Sequence, residues 1–500
     1  MTQHLITSRT DWTPEILREI YSHIEDVAVN DLKLDVYPNQ IEVISAEQMI
    51  DAYASNGSPI NYHHWSFGKE FLKNWNSYQK GKMGLAYEIV INTNPCISYL
   101  MEENNACTQA LVMAHAAFGH NSVFKNNYLF KEWTSADSIN DYMIFAKNFI
   151  KDCEQKYGED EVERVLDAAH AISLHGVDKR RRRHVPRQNE EQAALAILEA
   201  ADEEQRNLDI ILKKTSMEKE VAAAAGDHDL DALADEENIL YFIYKNAPNM
   251  PRWKKEILRI MYKINQHYYP QRLTKTLNEG MATFTHFYIM DELERRGLLS
   301  PDAQLQWLQL HSSVIYQPDM SSPHYSGKFN PYALGFDILK EVRRICEQPT
   351  AEDREWFPNL VGSDWREQVK NAAFDYRDES FIEQFMSPAL IRKYRMFSVY
   401  VNGKSGFVTE ISDERGYQRL RSELASTYNP INYTPDISVR RATLKGDRML
   451  TLEYKPYKGR SLHKQSALKT LKHIQELWGY DCEIITLDRK TNTEQLLLRI

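Results

Sequence analysis

The sequence predicts an α+β protein: a large, mainly helical N-terminal body followed by a small C-terminal domain of mixed strands and helices. Three observations predict it. Long stretches with helical apolar spacing fill most of the first 395 positions. Short strand-like runs bounded by turn residues replace them after about Met396. Finally, 42% hydrophobic content over 500 residues exceeds what one core needs. The expected organisation is a helical body in two parts, 1–178 and 238–395, separated by a charged insertion at 179–237 and followed by a C-terminal domain at 396–500.

The first helix begins near Thr13, with Pro14 in its first turn and Ile16, Leu17, Ile20, Ile24 and Val27 on one face. Residues 41–44 read as a short strand. The aromatic, polar segment 61–71 and the turn 92–95, which stops a strand at 87–91, read as site-building loops. Helices are expected at 102–124, 138–157, 159–174, 251–268, 274–296 and 302–310. In the insertion, the basic run 179–183 precedes a stretch to Glu237 rich in acids and alanines and without aromatic residues. Such composition buries too little apolar surface to offset ordering entropy, so disorder is expected. Beyond Met396, strands at 397–401, 437–444, 449–454, 484–487 and 495–500, with helices at 414–428 and 461–478, are similar to a β-α-β-β-α-β ferredoxin-like module.

Sixty-one basic against seventy-one acidic residues give a net charge of −10, which argues against nucleic acid as a partner because phosphate binding needs a positive field. No window approaches the roughly 18 apolar residues of a membrane span, and the N-terminus has no apolar signal region, so a cytoplasmic protein is expected. The five cysteines are widely spaced and include no C-x-x-C pair, which suits reduced, buried thiols. Phosphate-binding glycine loops and G-x-S-x-G elbows are absent, which removes NTPase and serine-hydrolase readings.

Three histidine strings could carry chemistry. His115 and His120 stand among aliphatic and small residues, where an imidazole is costly unless something satisfies it, and a divalent metal such as zinc is one such partner. Five residues apart, they diverge by roughly 140° on a regular helix, so a π-bulge or a helix end at Gly119 is needed to unite them. Asn278-Glu279-Gly280 with His286 puts an acid and an imidazole on one helical stripe about 10.5 Å apart along the axis, which favours Glu279 as metal ligand or catalytic base and His286 as an outer partner. His170 and His175 form the third pair. Buried histidines bonded to carbonyls or carboxylates are the bland alternative for all three. Glu70, Glu88 and Glu102 are further candidates for a general base.

The Asn-Glu-Gly helix is similar to the one that delivers the glutamate ligand in gluzincin metallopeptidases, so a zincin-like body is one candidate. More widely, Trp65 to Lys69, Tyr87 to Pro95, Ala114 to Asn127, His175 to Asp178, Trp253 with Lys254 and Glu256, Tyr269 to Gln271, Asn278 to Gly280 and Asn330 to Phe336 closely resemble the stage V sporulation protein R (SpoVR) family, in the version found in non-sporulating bacteria. The resemblance implies a bacterial, cytoplasmic protein of a stress, stationary-phase or sporulation-related pathway. It also implies partnership with a PrkA-type serine protein kinase and a von Willebrand factor A-like protein. Two functions follow as expectations: a metal-dependent hydrolase of peptide or amide bonds, with His115, His120 and Glu279 on zinc and His286, His175 and Asn278 behind them, or a non-enzymatic scaffold in the kinase complex.

Overall fold

The computed structural model describes residues 4–10, 12–55, 62–79, 88–179, 236–318, 329–396, 398–401, 404–407, 414–432, 434–443, 446–457, 459–488 and 493–500. The chain forms two compact units, one from residues 1–166 and 263–434, the other from residues 167–262 and 435–500.

The first unit is mainly helical around a small buried sheet. Helix α1 (Pro14–Asp26) starts where Thr13 caps the Ile16 amide and Pro14 fixes the first turn, and it buries Leu17, Ile20 and Ile24. Strands β1 (Asn39–Ile44), β2 (Glu88–Ile91) and β3 (Cys96–Met101) pair in the order β1-β3-β2, with β3 parallel to β1 and antiparallel to β2. The sequence reading assigns no strand to β3, whose unbroken apolar run lacks alternation because the strand is buried on both faces. One face, with Ile97, Tyr99 and Met101, joins Ile89 and Ile91 against Met49 and Ile50; the other, with Cys96 and Leu100, joins the main core. Glu88 sits opposite Leu100, one position out of phase with Ile89 and Ile91, so it points towards the main core.

Behind the sheet run α2 (Ala106–Met113), a π-helical segment (Ala114–His120), α3 (Lys275–Arg295), α4 (Pro301–Val314) and α5 (Pro331–Glu347). Helix α3 is buried over most of its length, with apolar and polar side chains both inside, which is why it lacks amphipathic periodicity. Small residues let its neighbours approach. A Cβ on Gly119 would stand 2.5 Å from Ala282 Cα, and one on Gly280 would stand 2.5 Å from Gly335 Cα. Segment 61–71, expected to be a loop, instead enters a helix at Trp65–Gln79. All five cysteines are free and buried.

The second unit holds the four-stranded sheet. In it β6 (Asp436–Ala442), β7 (Leu450–Lys455), β8 (Cys482–Leu487) and β9 (Glu494–Arg499) pair in sequence order, while the hairpin of β4 (Ser398–Val401) and β5 (Lys404–Phe407) belongs to the first unit and forms a separate two-stranded sheet. The α+β class stands, while the strand order differs from a ferredoxin-like module. Residues 398–401 find an antiparallel partner a few positions along the chain, and the helix Glu414–Thr427 buries Tyr417 and Ala425 in the first unit's core. The remaining pattern is β-β-α-β-β, with α6 (Lys464–Trp478) carrying the crossover between parallel β7 and β8. Asp178 accepts hydrogen bonds from Asn238 Nδ2 (2.9 Å) and Tyr262 Oη (2.7 Å), so the two ends of the charged insertion meet. The disorder expected within 179–237 falls almost wholly on residues outside those described.

Candidate metal centre

A glutamate and histidine cluster forms where β2, the π-helical segment, α3 and α5 converge in the first unit. The π-helix is the local device that assembles it. Its i to i+5 hydrogen bonding returns residues five apart to one face, so His115 and His120, which an α-helix would splay, pack with ring centroids 4.7 Å apart. The ligand atoms of Glu88, His115 and His120 lie within 4.8 Å of one another, and this group could hold a metal ion. Glu279 completes the cluster: its Oε2 is 3.5 Å from His120 Nε2 and 3.8 Å from His115 Nε2, while Glu88 Oε1 is 3.3 Å from His115 Nε2.

Each position has a supporting element. Asp378 accepts from the Thr276 and Leu277 amides at 2.9 and 2.8 Å, standing in for the side-chain cap that Thr274 does not make, and so fixes the first turn of α3 just ahead of Glu279. Asn330 caps α5 through the Tyr332 amide, with Pro331 in the first turn, and this sets Tyr332 beside the cluster. The Tyr332 ring stacks 6.2 Å from His115, and Tyr332 and Glu279 interact electrostatically.

Hydrogen bonding fixes which nitrogen each ring turns inward. Asn278 Oδ1 can only accept, so His120 donates through Nδ1 at 3.0 Å and presents Nε2 to Glu279. His115 meets His286 through Nδ1, 2.9 Å away, leaving Nε2 towards Glu88 and Glu279. Glu88 Oε2 and Glu279 Oε2 are both buried with no hydrogen-bond donor. Two imidazole nitrogens facing the orphaned Glu279 Oε2, with the Glu88 carboxylate beside them, is an arrangement that a cation resolves, and the donor set suits zinc or a similar divalent ion.

The carboxylates are not equivalent. Burial, then the charge of Glu279, pushes Glu88 well above the usual carboxylate range. Burial would raise Glu279 too, but the neighbouring His115, His120 and Tyr332 hold it below that range. Burial lowers His115 to about 4, so its ring is neutral.

Of the three base candidates, only Glu88 reaches the cluster. Glu70 is half-buried and paired with Lys73, and Glu102 is exposed. His286 lies directly behind His115 and Asn278 behind His120, the places expected of outer partners. His175 is buried and belongs to the second unit. Sequence reasoning does not place Tyr332 or His311 at the site. A lone carboxylate opening the apolar run Glu88–Ile91 and a tyrosine just inside an Asn-Pro helix start were the available signals.

The fold and cluster together describe a mainly helical protein with a buried two-histidine, two-carboxylate centre. Residues 11–433 match the family described as SpoVR like protein, and residues 435–489 match the SpoVR-like C-terminal domain, so the chain belongs to the SpoVR family. It is also 48% identical over 473 residues to a protein of Escherichia coli (strain K12) named "Uncharacterized protein YcgB", covering 94% of this chain and 92% of that one. That relative comes from a bacterium that does not sporulate, in keeping with the version of the family expected from the sequence. No solved structure matches. Among the described residues, no helix is long and apolar enough to cross a membrane.

Proposed function

We propose that this protein is a metal-dependent hydrolase of peptide or amide bonds, with His115, His120, Glu279 and Glu88 around one divalent ion, zinc being the best chemical fit. The observation that carries the reading is the convergence of His115 Nε2 and His120 Nε2 on Glu279 Oε2, a buried carboxylate oxygen with no hydrogen-bond donor, with Glu88 Oε1 beside His115. An ion bound there supplies Lewis acidity to a substrate carbonyl. The chain's own groups supply the rest. Asn278 and His286 orient the two imidazoles. Glu88, whose Oε1 lies 3.3 Å from His115 Nε2, completes the donor set in its carboxylate form. The Tyr332 hydroxyl, its acidity suppressed by burial and by the neighbouring Glu279, stays protonated beside the cluster. Side-chain exposure of 18% for both glutamates leaves a narrow approach to an otherwise dry site.

Metal analysis of the full chain after chelator-free purification tests the proposal, alongside His120→Ala and Glu279→Ala. Near-equimolar metal in the wild type and its loss in both variants is the expected result. Metal-free wild type that copurifies with a serine protein kinase would overturn it and favour the scaffold role that the family resemblance implies.

A further inference from the structure

Behind the cluster, three buried imidazoles are hydrogen-bonded in series. His115 Nδ1 lies 2.9 Å from His286 Nδ1, and His286 Nε2 lies 2.9 Å from His311 Nδ1. His311, from α4, makes no contact with the carboxylates given above; it is walled in by Phe287, Trp307 and Phe336 and is only 5% exposed. His115, His286 and His311 are buried, at 4%, 0% and 5% exposed, surroundings in which an imidazolium is costly.

A neutral imidazole carries one N–H and one bare nitrogen. Each of the two hydrogen bonds needs one proton, so a proton placed on one ring dictates the tautomer of the next. Only two concerted arrangements satisfy both bonds. In the first, His115 carries its proton on Nε2, directed at Glu88 and Glu279, and His286 and His311 each donate through Nδ1. In the second, His115 Nε2 is bare and able to bind a metal, its Nδ1–H donates to His286, His286 Nε2–H donates to His311 Nδ1, and His311 keeps its proton on Nε2.

We propose that His115, His286 and His311 act as a single tautomer array whose direction is set by what occupies the His115 Nε2 position, making His311 a positioning residue for the metal centre. The inference rests on the metal reading above. Reversal from the first arrangement to the second moves one proton across each hydrogen bond. His115 loses its Nε2 proton to solvent through the site, and His311 gains one from solvent at Nε2. Every ring therefore stays neutral, and the proton count of the array is unchanged. A partner able to accept from His286 Nε2 is thus part of what makes His115 a good ligand, although it lies two residues removed from the ion.

The test is the imidazole nitrogen spectrum of the full chain labelled with 15N-histidine, recorded before and after one equivalent of zinc, with His286 and His311 assigned from single variants. Metal-free protein should show both rings protonated on Nδ1, and zinc should convert both to the Nε2–H tautomer. His311→Leu, which leaves His286 Nε2 without a partner, should weaken zinc binding about 10-fold. His311→Asn places an amide atom near the position of Nδ1, able to donate or accept, and should restore most of the loss. Zinc binding with either tautomer unmoved, or an imidazolium in the array, would overturn the proposal. Failure of zinc to bind sinks the hydrolase reading instead, and the array is then decided by the metal-free spectrum: both rings on Nδ1 upholds it, and opposed tautomers refute it.

Discussion

Gly335→Ala reads out the packing that brings the centre together. Helices α3 and α5 meet backbone to backbone at Gly280 and Gly335. A Cβ on Gly335 would stand 2.2 Å from the Thr276 carbonyl oxygen and 2.6 Å from Gly280 Cα. Carbon atoms settle at about 3.5–4.0 Å, so the helices must part by about 1 Å. Alanine is itself the better helix former, by about 0.8–1.0 kcal/mol, which sets the sign expected if the contact were unimportant. Overpacking costs about 1–3 kcal/mol, and neither backbone can rotate aside, so the upper end applies and a net loss of about 2 kcal/mol remains. For a unit of this size that lowers the melting temperature by roughly 3 °C. Tyr332 lies one turn before Gly335 and Glu279 adjoins Gly280, so zinc affinity should fall with stability. Thermal unfolding and a zinc competition titration measure the two. A variant as stable as the wild type, or more stable, would show that the close approach does not govern the packing.

Other substitutions separate ligands from supports and probe the framework. Alanine at His115, His120 or Glu279 should abolish stoichiometric zinc, whereas Asn278→Ala should weaken it about 10–100-fold by freeing the His120 ring; equal losses throughout, read by competition with a chromophoric chelator, would erase the distinction. Arg344 makes paired hydrogen bonds to both Glu341 and Asp353, and Arg344→Met should cost about 3 kcal/mol in urea unfolding because it strands two largely buried carboxylates; a loss below about 1 kcal/mol would refute that. Burial pushes Asp378 up to about 7, above its unfolded value near 3.9, despite the Thr276 and Leu277 amides. Because the folded state holds that proton more tightly, the contribution favours folding below about pH 4 and is lost as pH rises through about 7. Melting temperature should therefore fall more steeply from pH 5 to 8 in the wild type than in Asp378→Asn, and equal slopes would contradict the assignment.

Much of the helical body was legible because its elements carry local signals. Thr13 with Pro14, and the amphipathic spacing of Leu17, Ile20 and Ile24, mark a helix without reference to anything distant. Residues 139–157 and 301–314 are equally close to expectation. Strand β3 was not legible, because burial on both faces removes the alternation that betrays a strand. Helix Trp65–Gln79 was missed because its aromatic and polar residues interleave without a clean stripe. The ferredoxin-like order failed for a different reason: strand partners depend on which chain end is nearest, and the segment at 398–401 pairs locally.

By itself the sequence determined the residue types of the centre. Two histidines five apart among small residues are costly on a regular helix, and Asn278-Glu279-Gly280 offers an acid where a glycine permits close packing. Tertiary structure decided the rest. The π-helix turns His115 and His120 to one side, the pleat of β2 aims Glu88 inward, and Gly280 against Gly335 draws Tyr332 to Glu279. His286 and His311 become a series only because α3 packs beside α4. Those pairings join residues up to 171 positions apart, and contacts at such separation leave no periodic trace in the chain, since periodicity records only what neighbours on one element share.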